Sequence, residues 1–329
     1  MMFLKVKIMS KKFKLMNMAE QNQLLESKLK QYLSLYWLRP ENGLITTFKS
    51  KSFENLKIES PSLDLSCGDG MYMAIHLGAK FDFDFDFFKS TKAKEFSHSN
   101  FIDIYDIHNK NYQVNYLKKP SMQFDYGADW KQAMLDKAEK TETYKNLVLH
   151  DNNKLPLPFE DNYFKTIHSN SVYWVDDSDK LISDIYRITA PGGNVSLELL
   201  TPHRYQTLVQ LEKFLSPKAI DILDRKRRAN TTGMREYSEW KRIIEETGFK
   251  IKHVESVYPD KLVMDIWNVG LRPIAHLLIQ MAEALDKDER IRIKEEWVNI
   301  FYELFKPLLT VKTTYTLENA PYLSFLLEK

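Results

Sequence analysis

A second cysteine, a long apolar run, an internal repeat and a strong excess of one charge are all missing from this sequence. Cys67 stands alone among 329 residues, so no intrachain disulfide can form and a reducing compartment, the cytoplasm, is the expected setting. The apolar runs of residues 1–18 are short and broken by lysine, which excludes a signal peptide or a membrane span there. That segment reads as a disordered leader. The most apolar stretch elsewhere, Ile266 to Leu285, carries Arg272 and Pro273 near its start, so no membrane partner is expected. A net charge of +2 leaves no basic face of the kind a dedicated nucleic-acid binder shows, and no nucleic-acid partner is expected. The densest basic stretch, Asp224-Arg225-Lys226-Arg227-Arg228, reads as a solvated helix face, with anion contact as the alternative.

What is present is an alternation of strands and helices. Apolar residues at helical spacing (Leu24, Leu25, Leu29, Leu33, Tyr36) predict a helix from Ala19 towards Leu38. Arg39-Pro40-Glu41-Asn42-Gly43 reads as a break, with a second helix from Leu44 towards Leu56. Residues 19–60 thus form an expected N-terminal helical cap. Strands are predicted at Ser62–Leu65, Met122–Tyr126, Leu147–Leu149, Phe164–His168, Asn194–Leu200, Phe249–Val257 and Tyr322–Glu328, with helices following the first, second and fourth. That pitch predicts an α/β fold: a doubly wound, mostly parallel seven-stranded sheet spanning residues 61–329. Residues 81–123 read as an insertion after the first βα unit. Residues 259–310, helical and placed between the last two strands, read as a lid.

Leu63-Asp64-Leu65-Ser66-Cys67-Gly68-Asp69-Gly70 joins a strand to a helix through a glycine turn. Such a turn lets a ligand approach the backbone and aims helix amides at it. Many nucleotide folds share it, and a tight turn without a ligand is the plain alternative. Asp125, at the end of a predicted strand, can accept hydrogen bonds from two ribose hydroxyls. Asp151, after the next strand, can reach an adenine amino group. The strictly alternating Phe81-Asp82-Phe83-Asp84-Phe85-Asp86-Phe87 suits a strand with one acidic face. A metal reading of those carboxylates lacks the glycine and carbonyl ligands of a calcium loop, and a solvated face is preferred.

With Leu155-Pro156-Leu157-Pro158 leading to the fourth strand and Pro191-Gly192-Gly193 before the fifth, this order resembles class I (Rossmann-like) S-adenosylmethionine-dependent methyltransferases of the small-molecule type, over roughly Ser62 to Pro202. The resemblance implies S-adenosylmethionine as cofactor and maps the cofactor loop onto Asp64, Ser66, Cys67, Gly68 and Gly70. It places the ribose carboxylate at Asp125 with Tyr126 beside the adenine. Asp151 and Asn152 become the acidic segment after the third strand, and Asn170 falls in the segment after the fourth. Two departures stand out. Ser66 replaces a more usual glycine, and Asp125 comes much later than the twenty-odd residues common in doubly wound folds. Asp84 or Asp86 would meet that spacing, but neither is followed by a helix and strand at the pitch of a βαβ unit, as Asp125 is.

The acceptor is expected beyond the carboxyl ends of the strands, near Asn170, Tyr173 and Trp174 after the fourth and near Thr201, His203 and Arg204 after the fifth. Tyr173 and His203 are the catalytic candidates, His203 because its reference pKa lies near neutrality. His168 reads as a packed histidine. Trp37 either closes over the cofactor or anchors its helix. The expected partner is a small-molecule acceptor methylated on oxygen or nitrogen, such as a sugar, nucleotide sugar or secondary metabolite. A dinucleotide-dependent oxidoreductase is the first rival, although a third phosphate-loop glycine is missing. A non-catalytic scaffold with the same fold is the second. The oligomeric state stays open.

Overall fold

The computed structural model describes residues 18–90 and 106–329. The expected leader and the middle of the expected insertion lie outside the described residues. Two helices lead: α1 (Met18–Leu35) and α2 (Pro40–Lys49). The expected break at Pro40 is instead the first turn of α2, where a proline with no N–H to satisfy is well placed. A 3-10 turn at Ser52–Asn55 completes the cap.

The glycine turn connects β1 (Ser62–Leu65) to α3 (Met71–His76). In the insertion, β2 (Lys80–Phe81) pairs antiparallel with β3 (Tyr116–Lys118). The alternating Phe/Asp segment is not one long strand. Asp82 and Asp86 cap local turns by accepting from the amides of Asp84 and Phe88. Nor is Asp86 solvated: it is buried and paired with Arg290 at 2.6 Å.

The chain continues through β4 (Phe124–Asp129), α4 (Gln132–Lys140), β5 (Tyr144–Leu149), β6 (Phe164–Ser169), α5 (Ser178–Ile188) and β7 (Thr189–Leu200). Then come α6 (Gln206–Leu211), α7 (Pro217–Asp224), α8 (Tyr237–Thr247), β8 (Lys250–Ser256), α9 (Lys261–Asn268), α10 (Ala275–Glu283), α11 (Lys287–Phe305) and β9 (Tyr322–Glu328). Seven strands form one sheet in the order β5-β4-β1-β6-β7-β9-β8, with only the β9 pairings antiparallel. The strand order reverses between β1 and β6, the point where open α/β sheets take their ligands.

Both sheet faces are buried, but they differ. Leu63, Leu65, Ile167, Val195 and Leu197 are fully covered and apolar. The register Asp64↔His168↔Ser196 puts a polar row on the other face, and Glu198 extends it. The cap lies against that row, with Phe53 packed 4.3 Å from His168.

Among the described residues, Lys261–Glu283 is long and apolar enough to cross a membrane by composition, and a third of it is buried. The chain breaks it into α9, a 3-10 turn at Arg272–Ile274 and α10. The expected lid region ends in α11, which is tied to two other elements. Tyr302 donates to Glu26 of α1 at 3.1 Å, and Lys294 donates to the carbonyls of Phe83 and Phe85 at 2.6 and 2.7 Å. Trp37 is buried edge-on against Trp297 of α11, as an anchor would be.

Candidate active site

The glycine turn sits at the carboxyl edge of the parallel strands. The amides of Ser66 and Cys67 both donate to the Ala128 carbonyl, at 2.7 and 2.9 Å, which stitches the turn to the end of β4. Ser66, Gly68 and Gly70 all have positive φ, so Ser66 takes the left-handed conformation that glycine adopts most readily. At Gly70 a side chain is excluded as well: a Cβ would lie 2.8 Å from Thr141 Oγ1. Cys67 turns its thiol inward, and burial pushes that thiol well above its usual range, so it contributes backbone rather than chemistry.

Asp125 and Tyr126 are corrections. Asp125 is the second residue of β4 and lies at the opposite, amino edge of the sheet. There it accepts from Ser60, from both the amide and hydroxyl of Ser62, and from Lys145 at 2.7 Å. Burial works against these donors and is outweighed, so the carboxyl is held at about 2, a structural clamp. Tyr126 is packed within the strand against Phe159, Tyr163 and Phe164.

The acidic residue at the carboxyl edge is Asp129, which ends β4. Its two oxygens accept from the amides of Gly68 and Lys131, both at 3.0 Å. Trp130 follows it with 63% of its surface exposed and the Lys131 ammonium 4.9 Å from its ring centre. The expected strand stops at Tyr126, whereas β4 runs on through Gly127 and Ala128 to Asp129. Gly127 is required by close packing, since a Cβ there would lie 2.8 Å from the Tyr144 ring. A strand of usual length beginning at Phe124 would have ended on Asp129, and that was the available signal.

The neighbouring loops converge. Asp151 sits in the turn after β5, capping Asn153, and Asn152 donates to Ser66 Oγ at 3.0 Å. Asn170 directly follows β6 and is half-buried. Asp64, inside β1, accepts from Tyr144 at 2.5 Å. Burial, reinforced by Asp129 and Glu198 and opposed by the Tyr144 bond, lifts Asp64 to about 7. Burial also raises Asp129 and Asp69. Buried carboxylates gathered at one turn fit a cationic ligand such as a sulfonium carrying an ammonium group. They repel the pyrophosphate of a dinucleotide.

Beyond β6 and β7 the lining changes. Tyr173, in a 3-10 turn after β6, is buried with its ring 6.1 Å from that of Tyr322. Tyr322 donates to Glu198 at 3.1 Å. Glu198 is fully buried, also accepts from Ser52 at 2.6 Å, and faces Lys49 at 3.3 Å. Lys49, Glu198 and Tyr322 were not singled out from sequence, because they come from segments 273 residues apart at the extremes (Lys49 to Tyr322) and meet only when β9 inserts between β7 and β8. His168 is buried and packed, and burial brings it down to about 4, so it is neutral. His203 lies half-exposed after β7, its ring nitrogens facing Gln206 at 2.7 Å and Glu236 at 3.2 Å. The expectation of a solvated basic stretch also fails at Arg227, which is buried and stacked on Trp267.

Residues 111–197 match a family described as a methyltransferase domain. No curated protein matches the sequence. Among solved structures, an S-adenosylmethionine-dependent methyltransferase from Mesorhizobium loti is 14% identical, with 88% of this chain and 100% of that one covered and a TM-score of 0.43. One from Thermotoga maritima is 12% identical over 93% and 99%, at a TM-score of 0.47. Phosphoethanolamine N-methyltransferase 2 of Haemonchus contortus, in complex with S-adenosyl-L-methionine, is 16% identical over 94% and 60%, at 0.44. Likenesses this distant say nothing of an acceptor.

Proposed function

We propose that this chain, a class I S-adenosylmethionine-dependent methyltransferase, methylates an oxygen or nitrogen of a small molecule held beyond β6 and β7. When bound, S-adenosylmethionine supplies an electrophilic methyl group on a sulfonium. Asp129, Asp151, Asn152 and Asn170 are the residues proposed to hold it, with the amides of the turn at Ser66–Gly70.

The observation that carries the small-acceptor reading is the roofing of the strand edge. Tyr173, Glu198 and Tyr322 are all buried, beneath the end of α2 and beside Trp267 of α9. A space closed in this way excludes water and orders a small acceptor, which is most of what an in-line displacement asks of a protein. Tyr173 orients the acceptor atom. Glu198, which accepts from the Tyr322 hydroxyl packed beside Tyr173, takes the proton that leaves that atom.

Incubating the protein with methyl-labelled S-adenosylmethionine and a cell extract, then separating the extract by size, tests this. Label is expected in the low-molecular-weight fraction, with kcat reduced by about tenfold or more in Tyr173→Phe. Label confined to nucleic acid or protein would contradict the assignment.

A further inference from the structure

Beyond the end of β7 positive charge gathers where no carboxylate answers it. Arg204 is 8% exposed, and its Nη1 is sealed from solvent without a hydrogen-bond partner. Its guanidinium lies 3.8 Å from the centre of the Trp267 indole. The guanidinium of Arg227 lies 4.1 Å from the same ring. Arg227 donates only to the backbone carbonyls of Asp224, Leu223 and Asn268, and its own Nη1 is unpartnered. Burial, followed by repulsion from Arg272 and Arg204, pushes Arg227 down to about 9. The Tyr258 hydroxyl is fully buried and also without a partner, and Arg204 is the strongest charge acting on it.

The other cations nearby are neutralised. Lys49 has Glu198 at 3.3 Å, and Arg39 has Glu41 at 3.2 Å. Arg204 makes neither an ion pair nor a hydrogen bond through its side chain among the described residues. Stacking on an indole recovers only part of what it costs to strip a guanidinium of water. The planar fork of donors on Arg204 matches two oxygens of one oxyanion, and a hydroxyl donor beside it would complete such a site.

We propose that the methyl acceptor carries an anionic group, a carboxylate or a phosphate, and that Arg204 and Tyr258 bind it. This rests on reading the space beyond β6 and β7 as the acceptor site. Arg227, on the same indole, adds long-range attraction without touching the anion. The anionic end then fixes the acceptor at Arg204, and the atom to be methylated points back towards Tyr173 and the glycine turn.

The test is a calorimetric titration of the whole protein, saturated with S-adenosylhomocysteine, with inorganic phosphate and separately with acetate. The anion that binds identifies the group. Binding is expected to weaken by about tenfold or more in Arg204→Met and severalfold in Tyr258→Phe, with S-adenosylhomocysteine affinity unchanged in both. If Arg204→Met does not fold, Arg204→Lys keeps the charge, loses the fork and is expected to weaken binding severalfold. Intact S-adenosylhomocysteine binding with no binding of either anion, or with anion binding equal in all variants, would overturn the inference and leave the methyltransferase reading standing. Anion binding that depends on Arg204 in a protein that takes no S-adenosylhomocysteine would support the anion site and overturn the methyltransferase reading.

Discussion

The carboxyl edge of the sheet is acidic on one side of the switch point and basic on the other. Around the β1 turn, Asp64, Asp69 and Asp129 are buried, and burial raises all three. Beyond β6 and β7, Arg204 and Arg227 are buried and Lys49 half-buried, and Glu198 balances only Lys49. One half is shaped for a cation and the other for an anion. Opposite fields a few residues apart also keep each ligand out of the other's place, which an electrically uniform cleft would not do.

The largest expected effect lies outside both halves, at the buried Asp86–Arg290 pair that ties the insertion to α11. Asp86→Ala leaves a buried guanidinium unpaired and is expected to cost about 3–5 kcal/mol of stability by chemical denaturation. S-adenosylhomocysteine affinity of the folded fraction should stay as in the wild type. A large loss of affinity would mean that Asp86, not Asp129, serves the cofactor.

Asp129→Ala probes the acidic half directly. It is expected to weaken cofactor binding by about 1.5–3 kcal/mol, roughly ten- to a hundredfold, through lost charge-assisted hydrogen bonds. Asp125→Ala should leave affinity unchanged and lower stability by about 1 kcal/mol, because its partners are Ser60, Ser62 and Lys145 at the far edge. The reverse pattern, read by calorimetry, would move the ribose site back to Asp125.

A pH dependence probes the acidic half again. With Asp64 near 7, a cationic ligand favours its ionised form and binding expels a proton. Affinity should rise by about tenfold between roughly pH 6 and 8 and level off above that. In the free protein the sign is opposite. A raised carboxyl contributes stability that is full below its unfolded pKa and lost as pH rises through about 7. Asp64→Asn should abolish both trends, measured as proton release into buffers of different ionisation enthalpy and as melting temperature against pH.

The two halves were not equally readable in the sequence. The acidic half is local: strand, glycine turn and helix occupy Ser62–His76 without interruption, and the loops after β5 and β6 follow at regular pitch. Its errors, Asp125 for Asp129 and Tyr126 with it, follow from ending the strand at Tyr126, one residue before the Gly127 that the Tyr144 ring requires. The basic half is assembled from α2, β7, α9, β9 and the turn after α7. Arg204 was placed near the reaction by its position after β7. Arg227 was hidden in a run of charges that looks solvated, since periodicity cannot show that one member of the run stacks on an indole forty residues on (Arg227 to Trp267). The Phe/Asp alternation misled for a related reason. Two of its aspartates hold turns, and Asp86 is claimed by a helix 204 residues away.

Calorimetric titration of the purified protein with S-adenosylmethionine, S-adenosylhomocysteine and NAD tests the acidic half, on which everything else rests, most directly. Micromolar binding of the first two with none of NAD is the expected result. Binding of NAD in preference to S-adenosylhomocysteine would contradict the reading of the buried carboxylates as a seat for a cation.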